Sequence, residues 1–314
     1  MRYLSAVLLS MAVLAGCSGS SPSWRMLPAV EQARTGLAGA AVAGRVAVVG
    51  GLTADGTASA RADLYDPRRR RWIRLPDLPQ AVDRAVATSR GGGLYGMGGY
   101  ADGPRGPQPT DRAWVLFDRR WHPLPDLPEP RAAGAAAIVR NRIYLVGGVR
   151  GTGTDPLART SLFLDLRTLR WTTFAGVTPP RRDLGAAALA GRVYAVGGRT
   201  SGPSDNLATA EAYDTVTRAW TRLPDLPSRR GGGGGGTADR LVVAAGGDGP
   251  SGVLAQVDGF DPRENAWRAL PRTPRPRTGM ALVGAGRAVY QVAGAAEPGG
   301  PPTANALSLR IPRD

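Results

Sequence analysis

The sequence is poor in the residues that most enzymes use for catalysis and for binding metals. Its 314 residues include one cysteine and one histidine. A lone histidine, His122, excludes a histidine-rich metal site, and it lies beside Trp121 in a segment that we predict to be an outer strand. The glycine run at 231–236 is followed by no lysine, which excludes a phosphate-binding P-loop. We therefore predict neither a metal site nor a cofactor.

Lysine is absent as well. All 40 basic residues are arginines, and against 25 acidic residues they give a formal charge of +15. A basic chain raises the question of nucleic-acid binding. The arginines are spread along the whole chain, however, and the longest run is Arg68-Arg69-Arg70-Arg71. We expect no nucleic-acid partner; an acidic partner or anionic lipid fits this distribution better.

The N-terminal residues indicate export. Arg2 precedes an apolar run at residues 4–15, which is too short to span a bilayer as a helix and has the length of a signal-peptide core. The following Leu14-Ala15-Gly16-Cys17 resembles a lipobox, the cleavage signal of bacterial lipoproteins. The resemblance implies removal of residues 1–16 and lipidation of Cys17. It places the chain on the outer face of the cytoplasmic membrane or on the outer membrane. The alternative is a secretory peptide with an incidental cysteine, which has no disulfide partner.

A polar tether at 17–23 leads into residues 24–314, which we predict to form one domain. This region shows no sustained helical period. Instead, apolar runs end in glycine pairs about 49 residues apart, and a tryptophan follows each pair. The pairs begin at Gly50, Gly98, Gly147, Gly197 and Gly246, with a degenerate sixth at Gly294-Ala295. The tryptophans are Trp72, Trp121, Trp171, Trp220 and Trp267.

This pattern resembles the kelch repeat. The resemblance implies an all-β fold: a six-bladed β-propeller with four antiparallel strands, a to d, in each blade. In the first unit we predict strands at 37–43, 46–50, 61–66 and 71–75. Strand a consists of small residues in every unit, as expected for strands that converge on a narrow axis. Trp24-Arg25-Met26-Leu27 matches strand d and should close the ring as the outer strand of the sixth blade, leaving no open edge.

The order of the strands defines two faces. The d–a and b–c connections share one, here called the loop face, and the a–b and c–d connections share the other, the turn face. Before each glycine pair an arginine begins strand a at the loop face, and such a ring could bind carboxylate or phosphate groups. The alternative is that each arginine braces its own blade. These candidates are Arg34, Arg84, Arg131, Arg182, Arg230 and Arg277.

The predicted function is a non-enzymatic binding module that presents its loop face to a protein or an acidic glycan. We expect a monomer attached to a membrane through Cys17, with the turn face toward the membrane. An enzymatic alternative stays open, since some bacterial kelch propellers are epimerases or mutarotases of acidic sugars such as sialic acids. That activity requires a deep pocket with a carboxylate opposite arginines, whereas a binding role predicts a shallow surface.

Overall fold

Six four-stranded antiparallel sheets surround a central channel in the computed structural model, which describes residues 23–152 and 156–311. The sheets are the blades of a propeller. Cys17 and the lipobox lie outside the described residues. In the part of the chain that the structure describes, no helix is long and apolar enough to cross a membrane.

In blades 1 to 5 the strands follow in chain order from the channel outward, and in blade 6 the outermost strand is instead the first strand of the chain. Blade 1 contains β2 (Ala38–Val42), β3 (Arg45–Val49), β4 (Ala62–Asp66) and β5 (Arg71–Arg74). Blade 2 contains β6 (Val86–Arg90), β7 (Gly93–Met97), β10 (Ala113–Phe117) and β11 (Arg120–Pro123). Blade 3 contains β12 (Ala135–Val139), β13 (Arg142–Val146), β14 (Thr160–Asp165) and β15 (Arg170–Ala175).

Blades 4 to 6 have the same four-stranded arrangement. Blade 4 contains β16 (Gly185–Leu189), β17 (Arg192–Val196), β18 (Ala210–Asp214) and β19 (Ala219–Arg222). Blade 5 contains β20 (Gly234–Ala238), β21 (Leu241–Ala245), β24 (Val257–Asp261) and β25 (Ala266–Leu270). Blade 6 contains β26 (Ala281–Ala285), β27 (Ala288–Val292), β28 (Ala306–Arg310) and β1 (Trp24–Leu27). The b–c loops carry β8 (Tyr100–Ala101), β9 (Gln108–Pro109), η1 (Pro203–Asp205), β22 (Asp248–Gly249) and β23 (Gly252–Val253).

The predicted ring closure is confirmed. Strand β1 pairs antiparallel with β28, in a register that joins Trp24 to Leu309 and Leu27 to Ala306. The chain therefore enters blade 6 at the turn face. Because β1 comes from one end of the chain and its three partners from the other, the ring has no open edge.

Three closed rings of hydrogen bonds join the blades. In the outermost ring, the indole Nε1 of each strand-d tryptophan donates to a carbonyl of the preceding blade at 2.8–2.9 Å, as Trp72 does to Pro28. In the middle ring, the N–H of the second residue of each glycine pair donates to the next blade, as Gly51 does to Val82. The innermost ring lies at the channel mouth and is described with the site.

The glycines of the inner strands are needed because neighbouring blades come very close there. A Cβ atom on Gly235 would lie 2.7 Å from the backbone nitrogen of Ala186, and one on Gly234 would lie 2.1 Å from the Cβ of Leu282. Real side chains do not tolerate such distances. The six-glycine run thus allows blade 5 to fit between blades 4 and 6.

Candidate binding site at the channel mouth

The backbone conformation of the glycine pairs, at the loop face, shows how the six repeats align with one another. The residue that opens each glycine pair has a positive φ in all six blades, and in blade 6 that residue is Ala293, with φ 57°. The sixth pair is therefore Ala293-Gly294, one residue earlier than the sequence pattern indicated. The residue that stands 16 positions before each pair is then Arg34, Val82, Arg131, Arg181, Arg230 or Arg277.

Arginines at this position brace their own blades. Arg34 is fully buried; its Nη1 donates to the carbonyl oxygens of Gly50 and Arg61 at 2.7 and 2.8 Å, and its Nη2 donates to Asp63 at 2.5 Å. Arg131 makes the equivalent bonds to the carbonyl oxygens of Gly147 and Thr160, both at 2.9 Å. Burial lowers the pKa of Arg34 to about 10, partly offset by Asp63, so the side chain stays protonated at neutral pH.

Arg230 and Arg277 are also buried and hydrogen-bonded. Arg230 donates to Asp258 and to the carbonyl of Gln256, and Arg277 donates to Thr303 at 3.1 Å and to the carbonyl of Pro276 at 2.9 Å. Four of the six predicted ring members are therefore directed into blades rather than into the channel. Blade 2 has Val82 at this position.

Arg84 and Arg182 do not stand 16 positions before a glycine pair, and both line the channel mouth. Arg182 lies one residue after the brace of its own blade, Arg181, whose buried Nη1 donates to Glu211 at 2.7 Å. Arg84 lies two residues after Val82. The structure thus brings together two of the six predicted arginines and adds Arg181 to the braces.

Arg84 belongs to the innermost ring of hydrogen bonds, here called the mouth ring. One residue of each blade donates its backbone N–H to the carbonyl of the preceding blade at 2.6–2.9 Å, and the six bonds form a closed cycle. All six have a left-handed conformation, with φ between 48° and 70°. The members are Gly36, Arg84, Ala133, Asp183, Gly232 and Gly279.

Glycine adopts this conformation freely, whereas for other residues it costs about 1–2 kcal/mol of conformational free energy. Three blades use glycine, but blades 2 and 4 place charged side chains, Arg84 and Asp183, at the mouth. Strained backbone of this kind concentrates at functional sites. The Nε of Arg84 lies 3.8 Å from Asp183 and 3.9 Å from Asp83. These are long ion pairs, and the guanidinium makes no hydrogen bond to the described residues. Its side chain is 44% exposed.

Further charges surround Arg84 and Asp183. Arg182 donates to Asp183 at 3.0 Å. Arg199, from the b–c loop of blade 4, pairs with Asp183 at 3.2 Å and donates to Asp248 of blade 5 at 2.7 Å. We call Asp83, Arg84, Arg182, Asp183, Arg199 and Asp248 the mouth cluster. It joins blades 2, 4 and 5 across the opening.

Two carboxylates of the mouth cluster have an unused buried oxygen. Oδ1 of Asp83 and Oδ1 of Asp248 are inaccessible to solvent and have no hydrogen-bond partner among the described residues. A Cβ on Gly36 would lie 1.9 Å from the Asp83 oxygen, so only glycine fits there. Burial raises the pKa of Asp83 to about 6, against the opposing effect of Arg84. Asp83 therefore changes its charge near pH 6.

Residues of the mouth cluster and of the inner strands together line a cavity of about 750 Å³. Small residues of the inner strands, such as Ala87, Ala136 and Gly185, line its wall. The site is thus a polar, charged opening above a narrow apolar channel. No group of three or more histidine, cysteine, aspartate or glutamate side chains in residues 23–152 and 156–311 is placed to hold a metal ion.

Sequence reasoning missed Asp183, Arg199 and Asp248. The sequence does mark the mouth-ring position, through an Arg-x-Gly motif that three blades share. The motif is Arg34-Thr35-Gly36, Arg230-Gly231-Gly232 and Arg277-Thr278-Gly279. Aligning that motif places Arg84 and Asp183 where blades 1, 5 and 6 have glycine. The pairing of Arg199 with Asp248 joins two different blades, and no spacing along the chain indicates it.

The fold and the site define the class: a six-bladed β-propeller with a charged channel mouth. Residues 85–294 match the family model of the KLHDC2/KLHL20/DRC7 Kelch-repeats domain. The chain belongs to the kelch-repeat family, as its sequence pattern predicted.

Comparison with individual proteins agrees with this assignment. The chain is 28% identical over 275 residues to the kelch-like protein terF of Aspergillus terreus, which covers 79% of this chain and 60% of terF. It is 28% identical over 127 residues to the kelch repeat protein M-T8 of myxoma virus, covering 40% of this chain and 25% of that protein. The match therefore spans less than two thirds of either relative.

Among solved structures, the one titled "Structure of YjhT" superposes with a TM-score of 0.75. The superposition covers 90% of this chain and 99% of that one at 15% sequence identity. Similarity at this identity shows the fold alone.

Proposed function

We propose that this protein is an exported, lipid-anchored kelch propeller that binds an acidic group of a protein partner, or of a glycan, at its channel mouth. Kelch-family membership favours a protein partner. The observation that carries the site is Arg84. Its side chain is 44% exposed, its guanidinium makes no hydrogen bond to the described residues, and its backbone is left-handed where blades 1, 5 and 6 have glycine.

The chemistry of the mouth cluster favours a carboxylate ligand. A guanidinium binds carboxylates through two parallel hydrogen bonds. Neither Nη of Arg84 makes a hydrogen bond to the described residues, and the partly exposed Arg182 lines the same opening. When Asp83 takes up a proton, the cluster loses one negative charge. Binding of an anionic group should therefore strengthen below about pH 6.

The binding experiment compares two probes by isothermal titration at pH 5.5 and 7.5. The probes are a glutamate-rich peptide and N-acetylneuraminic acid, and the protein forms are wild type, Arg84→Ala and Arg112→Ala. Arg112 is an exposed arginine of the same face, 58% accessible, and serves as the control. We expect Arg84→Ala to weaken binding at least about tenfold, since one charged hydrogen-bonded contact contributes about 1.5–3 kcal/mol. Equal binding by the two variants would refute the site.

The sugar-epimerase alternative requires a deep pocket with a carboxylate opposite arginines, and at the channel mouth Asp183 lies 3.8 Å from Arg84 and 3.2 Å from Arg199. The family model and the relatives named above give this alternative no support, and the binding role is the one that we propose. Adding the protein to a freshly dissolved acidic sugar tests the difference. Faster equilibration of its anomers, followed by proton NMR, would refute a non-enzymatic role.

The anchor is tested separately in the full chain. Bacteria that express the wild type or Cys17→Ser are supplied with an alkyne-labelled fatty acid and fractionated. We expect label and membrane association in the wild type only. Equal labelling of both forms would refute lipidation at Cys17, and this result would leave the channel-mouth site unaffected.

A further inference from the structure

The turn face carries most of the net positive charge of the described residues. Its a–b connections span 42–45, 90–93, 139–142, 189–192, 238–241 and 285–288, and its c–d connections span 66–71, 117–120, 165–170, 214–219 and 261–266. These segments contain 17 arginines and 7 acidic residues, a formal charge of +10. The remaining described residues contain 21 arginines and 16 acidic residues, a charge of only +5.

The acidic residues of the turn face are mostly engaged in the turns. Oδ1 of Asp66 accepts the backbone N–H of Arg68 at 2.9 Å, and Oδ1 of Asp214 accepts that of Val216 at 2.9 Å. Asp165 and Asp261 do the same in their blades. Thirteen of the 17 arginines are exposed, against three acidic residues, Asp118, Asp239 and Glu264. The surface potential of this face is therefore set by guanidinium groups.

Apolar side chains project from the same face. The large hydrophobic residues that are exposed in the described chain are Met26, Phe117, Leu169 and Val216. The last three belong to the c–d turns of the consecutive blades 2, 3 and 4, with exposures of 58%, 45% and 73%. Beside Phe117 a groove of about 560 Å³ is lined by Val115, Leu166 and Arg90. Among the described residues, none of the side chains of Phe117, Leu169 and Val216 packs into the hydrophobic core.

Exposed aliphatic and aromatic groups among arginines suit the boundary of an anionic membrane, where basic groups attract headgroups and apolar groups enter the acyl boundary. A nucleic acid would bind the arginines through its phosphates, but it would make no use of the exposed apolar side chains of Leu169 and Val216. The chain also enters β1 at Trp24 from this face.

We infer that the turn face docks directly on anionic lipid bilayers, with Phe117, Leu169 and Val216 entering the headgroup region. This docking does not depend on acylation of Cys17. It fixes the orientation of the propeller, so that the channel mouth is directed away from the bilayer. A lipid anchor alone would leave the propeller free to tumble on its tether.

The test uses residues 23–314, which include every strand of the closed ring, and vesicles of phosphatidylcholine with or without about 30 mol % phosphatidylglycerol. Two triple variants with equal charge change are compared. One reverses the turn face (Arg68→Glu, Arg69→Glu, Arg167→Glu), and the other reverses the loop face (Arg105→Glu, Arg112→Glu, Arg150→Glu). All six arginines are exposed.

We expect the wild type and the loop-face variant to sediment with anionic vesicles. The turn-face variant should bind about 100-fold more weakly, because each arginine near the surface contributes about one kcal/mol. Equal loss in both variants, or no binding of the wild type at low salt, would overturn the proposal. So would tighter binding to duplex DNA than to the vesicles at the same salt concentration.

Two further measurements address insertion and orientation. Phe117→Ser, Leu169→Ser and Val216→Ser together should weaken vesicle binding at least about tenfold, since each substitution removes apolar area that would be buried in the bilayer. Unchanged binding would refute insertion.

Orientation is measured with a dye. Because this fragment lacks Cys17, the only cysteine, the variants Val216→Cys and Ala54→Cys each offer a single thiol to which a polarity-sensitive dye is attached. Anionic vesicles should blue-shift the dye at position 216 and not the one at position 54 on the loop face. The opposite result would refute the orientation.

Discussion

The pairing of Arg230 with Asp258 provides a quantitative test of whether the buried arginines brace the blades. Both residues are almost fully buried, at 2% and 4% exposure, and Arg230 Nη2 donates to Asp258 Oδ2. Arg230→Met keeps the aliphatic stem but leaves the Asp258 carboxyl buried without its cation. Breaking a buried ion pair on one side costs about 3–5 kcal/mol, so we expect a loss of that size in the free energy of unfolding.

The double variant Arg230→Met/Asp258→Leu completes the cycle. Because it removes both charges, it should be less destabilised than the sum of the two single variants, by about 2 kcal/mol or more. Urea unfolding at pH 7, followed by tryptophan fluorescence, gives the free energies. Arg222→Met is the matched control: Arg222 pairs with Asp225, both more than half exposed, and its loss should cost under about 1 kcal/mol.

The cycle separates the two roles considered for these arginines. A ligand-binding arginine tolerates replacement without loss of stability, and a brace does not. If Arg230→Met costs less than about 1 kcal/mol, or if the two single effects simply add, the assignment of Arg230 as a brace is refuted.

Three further predictions follow from the channel. Ala133→Gly should stabilise the fold by about 0.5–1 kcal/mol in thermal melting, because φ there is 53° and glycine relieves the strain; destabilisation would contradict the strain argument. Asp83→Asn should match the wild type near pH 4 and exceed its stability at pH 8 by up to about 3 kcal/mol, because the raised pKa of Asp83 contributes stability at low pH that is lost as the pH rises through 6. A pH-independent difference would show that the Asp83 carboxyl does not titrate near 6. Gly235→Ala should destabilise by about 1–3 kcal/mol, whereas Gly151→Ala, whose Cβ meets open space, should not; equal effects would refute the close approach of the inner strands.

The sequence determined the architecture of this protein. Five glycine pairs and a degenerate sixth in phase, the tryptophans, and the match of residues 24–27 to strand d predicted six blades and the closing strand, because strand periodicity and turn chemistry are local properties. Confirmation of the closing pair β1–β28 shows that even a contact between the chain ends can be predicted when the repeat is complete except for one strand.

Only the tertiary structure decided which arginines reach the channel. A spacing of 14 to 17 residues could not separate Arg181 from Arg182, or Val82 from Arg84, although a shift of one residue turns a side chain from the blade interior to the mouth. The charge pairs of the mouth cluster join blades 2, 4 and 5, whose residues lie about 50 or 100 positions apart, so no local pattern specifies them. The same holds for the turn face, where turns that are unremarkable singly become one basic surface because the ring places them side by side.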